Sequence, residues 1–224
     1  PDSHLPSQTL STAMKHGWRW QIPLTNRNGN GYVYSSKYCS ADEAETELRS
    51  ALGLLNQDVP ARHLKMKVGR LEKHWHKNCL AIGLSQGFIE PLEATALFLV
   101  QQAAALFVDA YEKGQFTEQN QDAYNASISG YFEGIRDYIV GHYITSSRTD
   151  SPYWLDCQNN QQNLSDTLRH ILDVWHSGGN LAEELRREHI SRYYSPVSWH
   201  CLLAGTGTFP DPDKLRPPSP TDKQ

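Results

Sequence analysis

Between Pro91 and Tyr111 the chain carries a helical pattern with almost no polar face. Leu97, Val100, Ala104, Phe107, Val108 and Tyr111 recur at helical spacing as one stripe, and Leu99, Ala103, Leu106 and Ala110 fill much of the rest. A helix apolar nearly all round needs a buried place, so the remaining chain is expected to wrap it. Pro91, a favoured first helical residue, sets the expected start. Gln101, Gln102 and Asp109 interrupt the run from Ala94 to Tyr111, which argues against a membrane span.

What can wrap that helix is bounded by size and charge. The 224 residues suit one domain or a little more. Lys and Arg number 21 against 25 Asp and Glu, a net charge of −4, so no sequence-wide basic field exists and no nucleic-acid partner is expected. Lys65, Lys67, Arg70, Lys73 and Lys77 form a local basic patch, read as a solvated strand face. Apolar residues with glycine make up about 40% of the chain, below the ~45–50% of ordinary globular domains, as polar tails or a piece of something larger would give. Pro1 to Ser7 has no charged and apolar leader pattern, so no signal peptide is expected, and a chain starting on Pro fits a fragment or processed product. Cys39, Cys79, Cys157 and Cys201 lie far apart with no CxxC pair, which points to reduced thiols in a cytoplasmic protein.

The first part of the chain reads as β structure. Trp18, Trp20 and Ile22 alternate with Arg19 and Gln21, Asn28-Gly29-Asn30-Gly31 is expected to turn the chain, and Tyr32-Val33-Tyr34 to return as a hairpin within His16 to Ser36. Both indoles then share one face. Ser40 and Glu43 form a capping box for a helix over Ala41 to Leu52, ended by Gly53. Leu64, Met66 and Val68 alternate with Lys65 and Lys67, which predicts a short strand that Gly69 ends or bends. Beyond Gly114 helices are expected at about Glu118 to Ile144, Ser165 to His176, Leu181 to His189 and Pro196 to Ala204. From Phe209 a tail with five Pro is expected to be disordered.

Several residue groups could carry chemistry. Trp18-Arg19-Trp20-Gln21-Ile22-Pro23 is either a core-facing strand or an aromatic wall beside a flat ligand. Glu90 and Glu93 sit at the start of the apolar helix, where acids compensate the helix dipole or act on a ligand held there. The same helix start offers free backbone N–H groups to an anion, and Gly83 and Gly87 let a bulky cofactor approach the backbone. His74-Trp75-His76 with Cys79 is a weak metal signal without a carboxylate at ligand spacing, so no metal site is expected. No GxSxG, P-loop or GxGxxG is present.

In order along the chain stand Gly17-Trp18-Arg19-Trp20-Gln21-Ile22-Pro23-Leu24, Gly31-Tyr32-Val33-Tyr34-Ser35-Ser36, Gly69-Arg70, Trp75-His76-Lys77-Asn78-Cys79-Leu80-Ala81-Ile82-Gly83-Leu84 and Gly87-Phe88-Ile89-Glu90-Pro91-Leu92-Glu93-Ala94-Thr95. His142-Tyr143, Ser147-Arg148 and Pro152-Tyr153-Trp154 follow. This succession resembles the flavin-dependent tryptophan halogenases over Gly17 to about Gly207, the C-terminal half of such an enzyme. The family's GxGxxG dinucleotide fingerprint and catalytic Lys have no counterpart here.

The resemblance implies a fold and a set of roles. The fold class is α+β and mostly helical, the C-terminal part of an FAD-dependent monooxygenase-like (halogenase) fold, with a small β-sheet beside a helical substrate region. Residues 1–16 would be an incomplete lead-in, 17–95 the C-terminal part of a flavin-binding domain, 96–208 the substrate-binding region and 209–224 the Pro-rich tail. Reduced FAD, O₂ and chloride or bromide generate hypohalous acid, which travels through a tunnel to an electron-rich, indole-type aromatic. Glu93 matches the catalytic Glu. Thr95 and Ala96 match the halide-binding turn, although members often have Gly in place of Ala96 and Ser in place of Ala94. Leu84 and Leu97 fall at positions lining the flavin; Trp18 and Trp20, with Ile22 and Pro23, form the aromatic tunnel wall. A separate flavin reductase would supply FADH₂, and a homodimer is compatible. The rivals are a hydroxylating flavin monooxygenase, against which the Trp pair and Glu93 argue, and a helical interaction module without catalysis.

Overall fold

Alternation in Trp18-Arg19-Trp20-Gln21-Ile22 does build a strand, and the sheet around it is larger than a hairpin. The structure, a computed structural model, describes residues 6–215. It forms two compact units, residues 1–67 with 148–159, and residues 68–147 with 160–224. In the first, β1 (Leu10–Met14), β2 (Gly17–Pro23) and β3 (Asn28–Tyr34) make an antiparallel sheet in that order, with Trp18 opposite Val33 and Trp20 opposite Gly31. Part of the expected lead-in is therefore an ordered strand.

The turn between β2 and β3 is not the Asn-Gly-Asn-Gly run. It lies earlier, closed by Leu24 N donating to Arg27 O at 2.8 Å, and Asn28 to Gly31 belong to β3. The glycines serve the neighbouring strand instead: a Cβ on Gly31 would run into the indole of Trp20. The Trp20 ring thus lies across a strip of backbone that only glycine leaves open.

Helix α1 (Ala41–Leu52) forms as its ends dictate. Ser40 and Glu43 make the reciprocal capping box, and Gly53 closes the helix at φ 69°. Glu47 ties α1 to the sheet, accepting from the Tyr32 hydroxyl at 2.9 Å and from Lys15 N at 2.8 Å. The strand expected over Leu64 to Val68 is absent. Leu64 is 67% exposed, and no described strand pairs with this segment, so alternation finds neither a ladder nor a face to bury.

In the second unit β4 (Gly69–Arg70) pairs with β7 (Gly87–Phe88), and β5 (Trp75–His76) with β6 (Cys79–Leu80). Side chains reinforce these two-residue strands. The Asn125 amide oxygen accepts from His74 N and Trp75 N, and its NH₂ donates to Trp75 O, each at 2.8 Å, as a third strand would. Trp75 then packs edge-on against Phe107 and Tyr124. His74 is buried and stacks on Phe132 with neither ring nitrogen hydrogen-bonded; among the described residues no group of three His, Cys, Asp or Glu could hold a metal.

Helix α2 (Ala96–Lys113) starts later than Pro91 and is not wrapped. Leu99 and Ala103 are its buried residues, while Leu97 is 76% exposed and Val108 53%. The span Leu92–Lys113 is the one described helical stretch long and apolar enough, by length and composition, to cross a membrane. The expectation of burial fails because α3 (Gln121–Ile144), the short 3₁₀ turns Gly83–Ser85 and Glu118–Asn120 and the Trp75 ring cover only part of α2 and leave Leu97 and Val108 exposed.

The chain returns to the first unit as α4 (Pro152–Gln158), a helix the sequence reading missed. Ser151 caps it and Pro152 starts it, and Trp154 Nε1 donates to Met14 O at 2.8 Å. In the second unit follow α5 (Asp166–His176), α6 (Leu181–Arg187) and α7 (Pro196–Gly205), capped by Ser165, Asn180 and Ser195. Together with α3 they enclose a continuous core of Tyr138, Leu168, Ile171, Leu185, Trp199 and Leu203. Within the Pro-rich tail Pro212–Lys214 form a 3₁₀ turn; residues 216–224 lie outside the described residues.

Candidate active site

The approach to α2 is a strained turn. Pro91 opens a 3₁₀ turn, Leu92–Ala94, anchored by buried Leu92. Glu93 then adopts φ 66°, ψ 6°, and Ala94 φ 53°. Consecutive left-handed residues without glycine each cost on the order of 1 kcal/mol or more and persist only where surroundings hold them. Thr95 is the N-cap of α2, its carbonyl accepting from Leu99 N at 3.0 Å, and its side chain makes no capping bond. Ala96, Leu97 and Phe98 therefore have no intrahelical acceptor for their N–H groups, at the positive end of the helix dipole.

The last turn of α3 holds this turn in place. His142 Nε2 lies 3.1 Å from Glu93 Oε1, and its Nδ1 lies 3.0 Å from Tyr138 O. The neighbouring Tyr143 hydroxyl donates to Glu90 Oε1 at 2.6 Å. The His142 bond holds the Glu93 carboxyl below the usual range, against partial burial that pushes it up. Tyr138 and Tyr194 stack with ring centres 3.6 Å apart. Burial, then the charge on Glu93, pushes both phenols upward, so they stay neutral. The Tyr194 hydroxyl is buried facing Thr95 without a well-formed hydrogen bond. The result is an ionised carboxylate flanked by an imidazole and two phenols, one residue from Ala94 and three from the open helix amides.

Leu84 sits on the 3₁₀ turn Gly83–Ser85, which packs against α2, and is 83% exposed. Gly83 is left-handed at φ 68°, and a Cβ there would find Val100 Cγ2 at 3.8 Å, ordinary contact. The site residues Leu84, Glu93, Thr95, Ala96 and Leu97 all belong to the second unit. Trp18, Trp20, Ile22 and Pro23 lie on β2 of the first unit. There Trp18 is buried, Trp20 is half-buried over Gly31, Ile22 is exposed and Pro23 ends the strand.

The residues that the sequence reading left without a role are His142, Tyr143, Tyr138 and Tyr194. His142-Tyr143 stood out only as part of a resemblance; its link to Glu93 spans 49 residues, beyond any local spacing rule.

A family model described as tryptophan halogenase matches residues 1–217. The chain is 37% identical over 208 residues to the tryptophan 6-halogenase SttH of Streptomyces toxytricini, covering 92% of this chain and 38% of that protein. It is 38% identical over 207 residues to the 7-chloro-L-tryptophan 6-halogenase KtzR of Kutzneria sp. (strain 744), covering 91% and 39%. Among solved structures, the thermophilic tryptophan halogenase Th-Hal from Streptomycin violaceusniger matches with a TM-score of 0.81 at 38% identity, covering 95% of this chain and 40% of that one. The chain thus spans about two-fifths of the length of these relatives. By the family match along its length and the identity to these enzymes, the chain belongs to the tryptophan halogenase family.

Proposed function

We propose that this chain supplies the C-terminal part of a flavin-dependent halogenase that uses reduced FAD, O₂ and chloride or bromide to halogenate an electron-rich, indole-type substrate. The observation that carries this reading is Glu93, held ionised by one oxygen on a left-handed turn at the open amino end of an apolar helix. FAD fits the exposed side of this turn: Leu84 and Leu97 offer apolar surface to a flat ring, and Gly83 presents backbone without a side chain. When bound and reduced, that cofactor supplies, with O₂ and halide, the electrophilic halogen.

The chain's own groups then divide the work. The backbone N–H groups of the turn Thr95–Ala96 hold the halide, because a helix start presents unpaired N–H groups and positive potential. Glu93 stabilises the cationic intermediate of aromatic substitution with its free oxygen and takes the proton that leaves the ring. Trp18, Trp20, Ile22 and Pro23 form the wall that keeps substrate apart from the flavin. Residues 17–95 complete the flavin-binding domain, and 96–208 form the helical substrate region. A separate reductase delivers FADH₂. The exposed face of α2 is the surface on which the remaining length of such an enzyme is seated.

The decisive measurement is Glu93→Gln in the complete enzyme containing this chain. Product formation should fall by a factor of roughly 100, the scale of losing a positioned acid or base, while flavin reoxidation by O₂ continues. Unchanged halogenation would reduce Glu93 to a helix-dipole residue.

The substrate follows from the residues after Tyr193-Tyr194. Family members that take free tryptophan follow such a pair with a Glu and aromatic residues, whereas here Ser195 caps α7 at once and Pro196 begins it. A zwitterion would leave water without paired partners, so indole should compete successfully against tryptophan. A higher specificity constant for tryptophan would overturn this choice.

A further inference from the structure

The carboxylate at the centre of that reading is held by its neighbours in a defined way. Adjacent residues of α3 grip both acids of the Glu90-Pro91-Leu92-Glu93 turn, Tyr143 through Glu90 and His142 through Glu93. His142 Nδ1 faces the Tyr138 carbonyl, which can only accept, so Nδ1 carries a proton. Nε2 then meets Glu93 Oε1 in one of two ways, donating its own proton to the carboxylate or accepting the proton of a neutral acid. Either way one proton lies between the groups. With none, two lone pairs would face each other at 3.1 Å. The tautomer is set by the Tyr138 backbone, independently of Glu93.

Oε1 is thereby occupied, and Glu93 Oε2 has no protein partner among the described residues, on a side chain 40% exposed. The other groups near the pair are the Tyr138 phenol on α3, the Tyr194 phenol after the 3₁₀ turn Ile190–Arg192 and Cys201 on α7, near Tyr138; neither phenol ionises near neutral pH. We propose that His142 is the positioning residue of Glu93, tying Oε1 so that Oε2 alone is presented to whatever binds at the start of α2. The assignment rests on the halogenase reading only for what Oε2 acts on. Through the same tie α3 sustains the left-handed conformation of Glu93 and Ala94.

The test is NMR of the 224-residue chain with ¹³C-labelled glutamate and ¹⁵N-labelled histidine. The nitrogen shifts should show a proton on His142 Nδ1, the atom that faces the Tyr138 carbonyl. His142→Gln, which removes the imidazole bonded to Oε1, should move the Glu93 carboxyl midpoint upward. Tyr143→Phe, which removes the hydroxyl bonded to Glu90, should leave that midpoint in place. The proposal is overturned by a neutral His142 with bare Nδ1, which the wild-type spectrum alone reveals even if a variant fails to fold. It is equally overturned by a Glu93 midpoint that ignores His142→Gln or moves as far in Tyr143→Phe. Neither readout involves flavin, halide or substrate. A chain that passes while Glu93→Gln still halogenates in the complete enzyme loses the catalytic reading alone; one that fails while Glu93→Gln abolishes turnover loses only the role of His142.

Discussion

Helices α5 and α2 are both rich in apolar side chains, and they meet opposite fates. On α5 the apolar residues form one stripe, and Leu168, Ile171 and Leu172 are all buried against α3, α6 and α7. On α2 they surround the helix, and Leu99 and Ala103 alone are buried while Leu97 and Val108 face outward. Apolar content therefore measures how much cover a helix wants, and its angular spread measures from how many sides. A narrow stripe is satisfied by one neighbouring layer. A helix apolar all round needs a second, which the described residues do not provide.

The strongest way to break this contrast is to empty the finished side. Trp199 is fully buried in the core where α3, α5, α6 and α7 meet. Trp199→Ala should cost about 3–5 kcal/mol, the range for truncating a large buried aromatic, read as a fall in the urea midpoint. A loss below about 1 kcal/mol would mean that the core collapses around the cavity and is less tightly packed than the burial indicates.

How far this contrast could be read without coordinates depends on the range of the cause. Local rules worked where a cap, a proline or a glycine decides: the Ser40 and Glu43 capping box, Gly53 at the end of α1, and the starts of α5 about Ser165 and of α7 at Pro196 stand where the residues predict. They failed where a partner decides. Asn28 to Gly31 has the composition of a turn, yet its glycines answer to Trp20 across the sheet. Leu64 to Val68 alternates like a strand and has nothing to pair with among the described residues. At the candidate site, Glu93 and Thr95 are singled out by the resemblance, not by a local rule. The left-handed turn that carries Glu93 was not legible, because no glycine marks it and the His142 contact that holds it comes from another helix.

A smaller effect separates the two sides by their polar groups. His74 is buried beneath Phe132, with both ring nitrogens unpartnered, and burial, helped by the nearby Arg70 charge, lowers its pKa. The folded chain keeps it neutral, whereas the unfolded chain takes up a proton below about pH 6.5. Stability contributed by the neutral ring is present above that pH and lost as pH falls through it, by at most about 1.4 kcal/mol per unit for one proton. His74→Phe keeps the ring against Phe132 and removes the titration, so the urea midpoint of the variant should vary less between about pH 7 and pH 5. Equal acid slopes in variant and parent would show that His74 is protonated in place, with a partner in solution.

The smallest effect on stability, and the sharpest on the contrast itself, belongs to the outward stripe of α2. Leu97 and Val108 are three turns apart on one face and both are exposed. Replacing them by Gln, a good helix former, removes apolar surface from water rather than from a core. Surface changes of this kind fall within about ±0.5 kcal/mol, so Leu97→Gln with Val108→Gln should leave the urea midpoint nearly unchanged. The same pair should reduce self-association of the chain, because a contiguous exposed apolar patch drives it, and light scattering at matched concentration reads the difference. If the double variant unfolds as easily as Trp199→Ala, the stripe is already covered within the chain in solution. The distinction between α5 and α2 would then vanish, and with it the reading of this face as the seat of a larger enzyme. If stability holds and association falls, the face is open and apolar, as a surface made to receive another part of a protein must be.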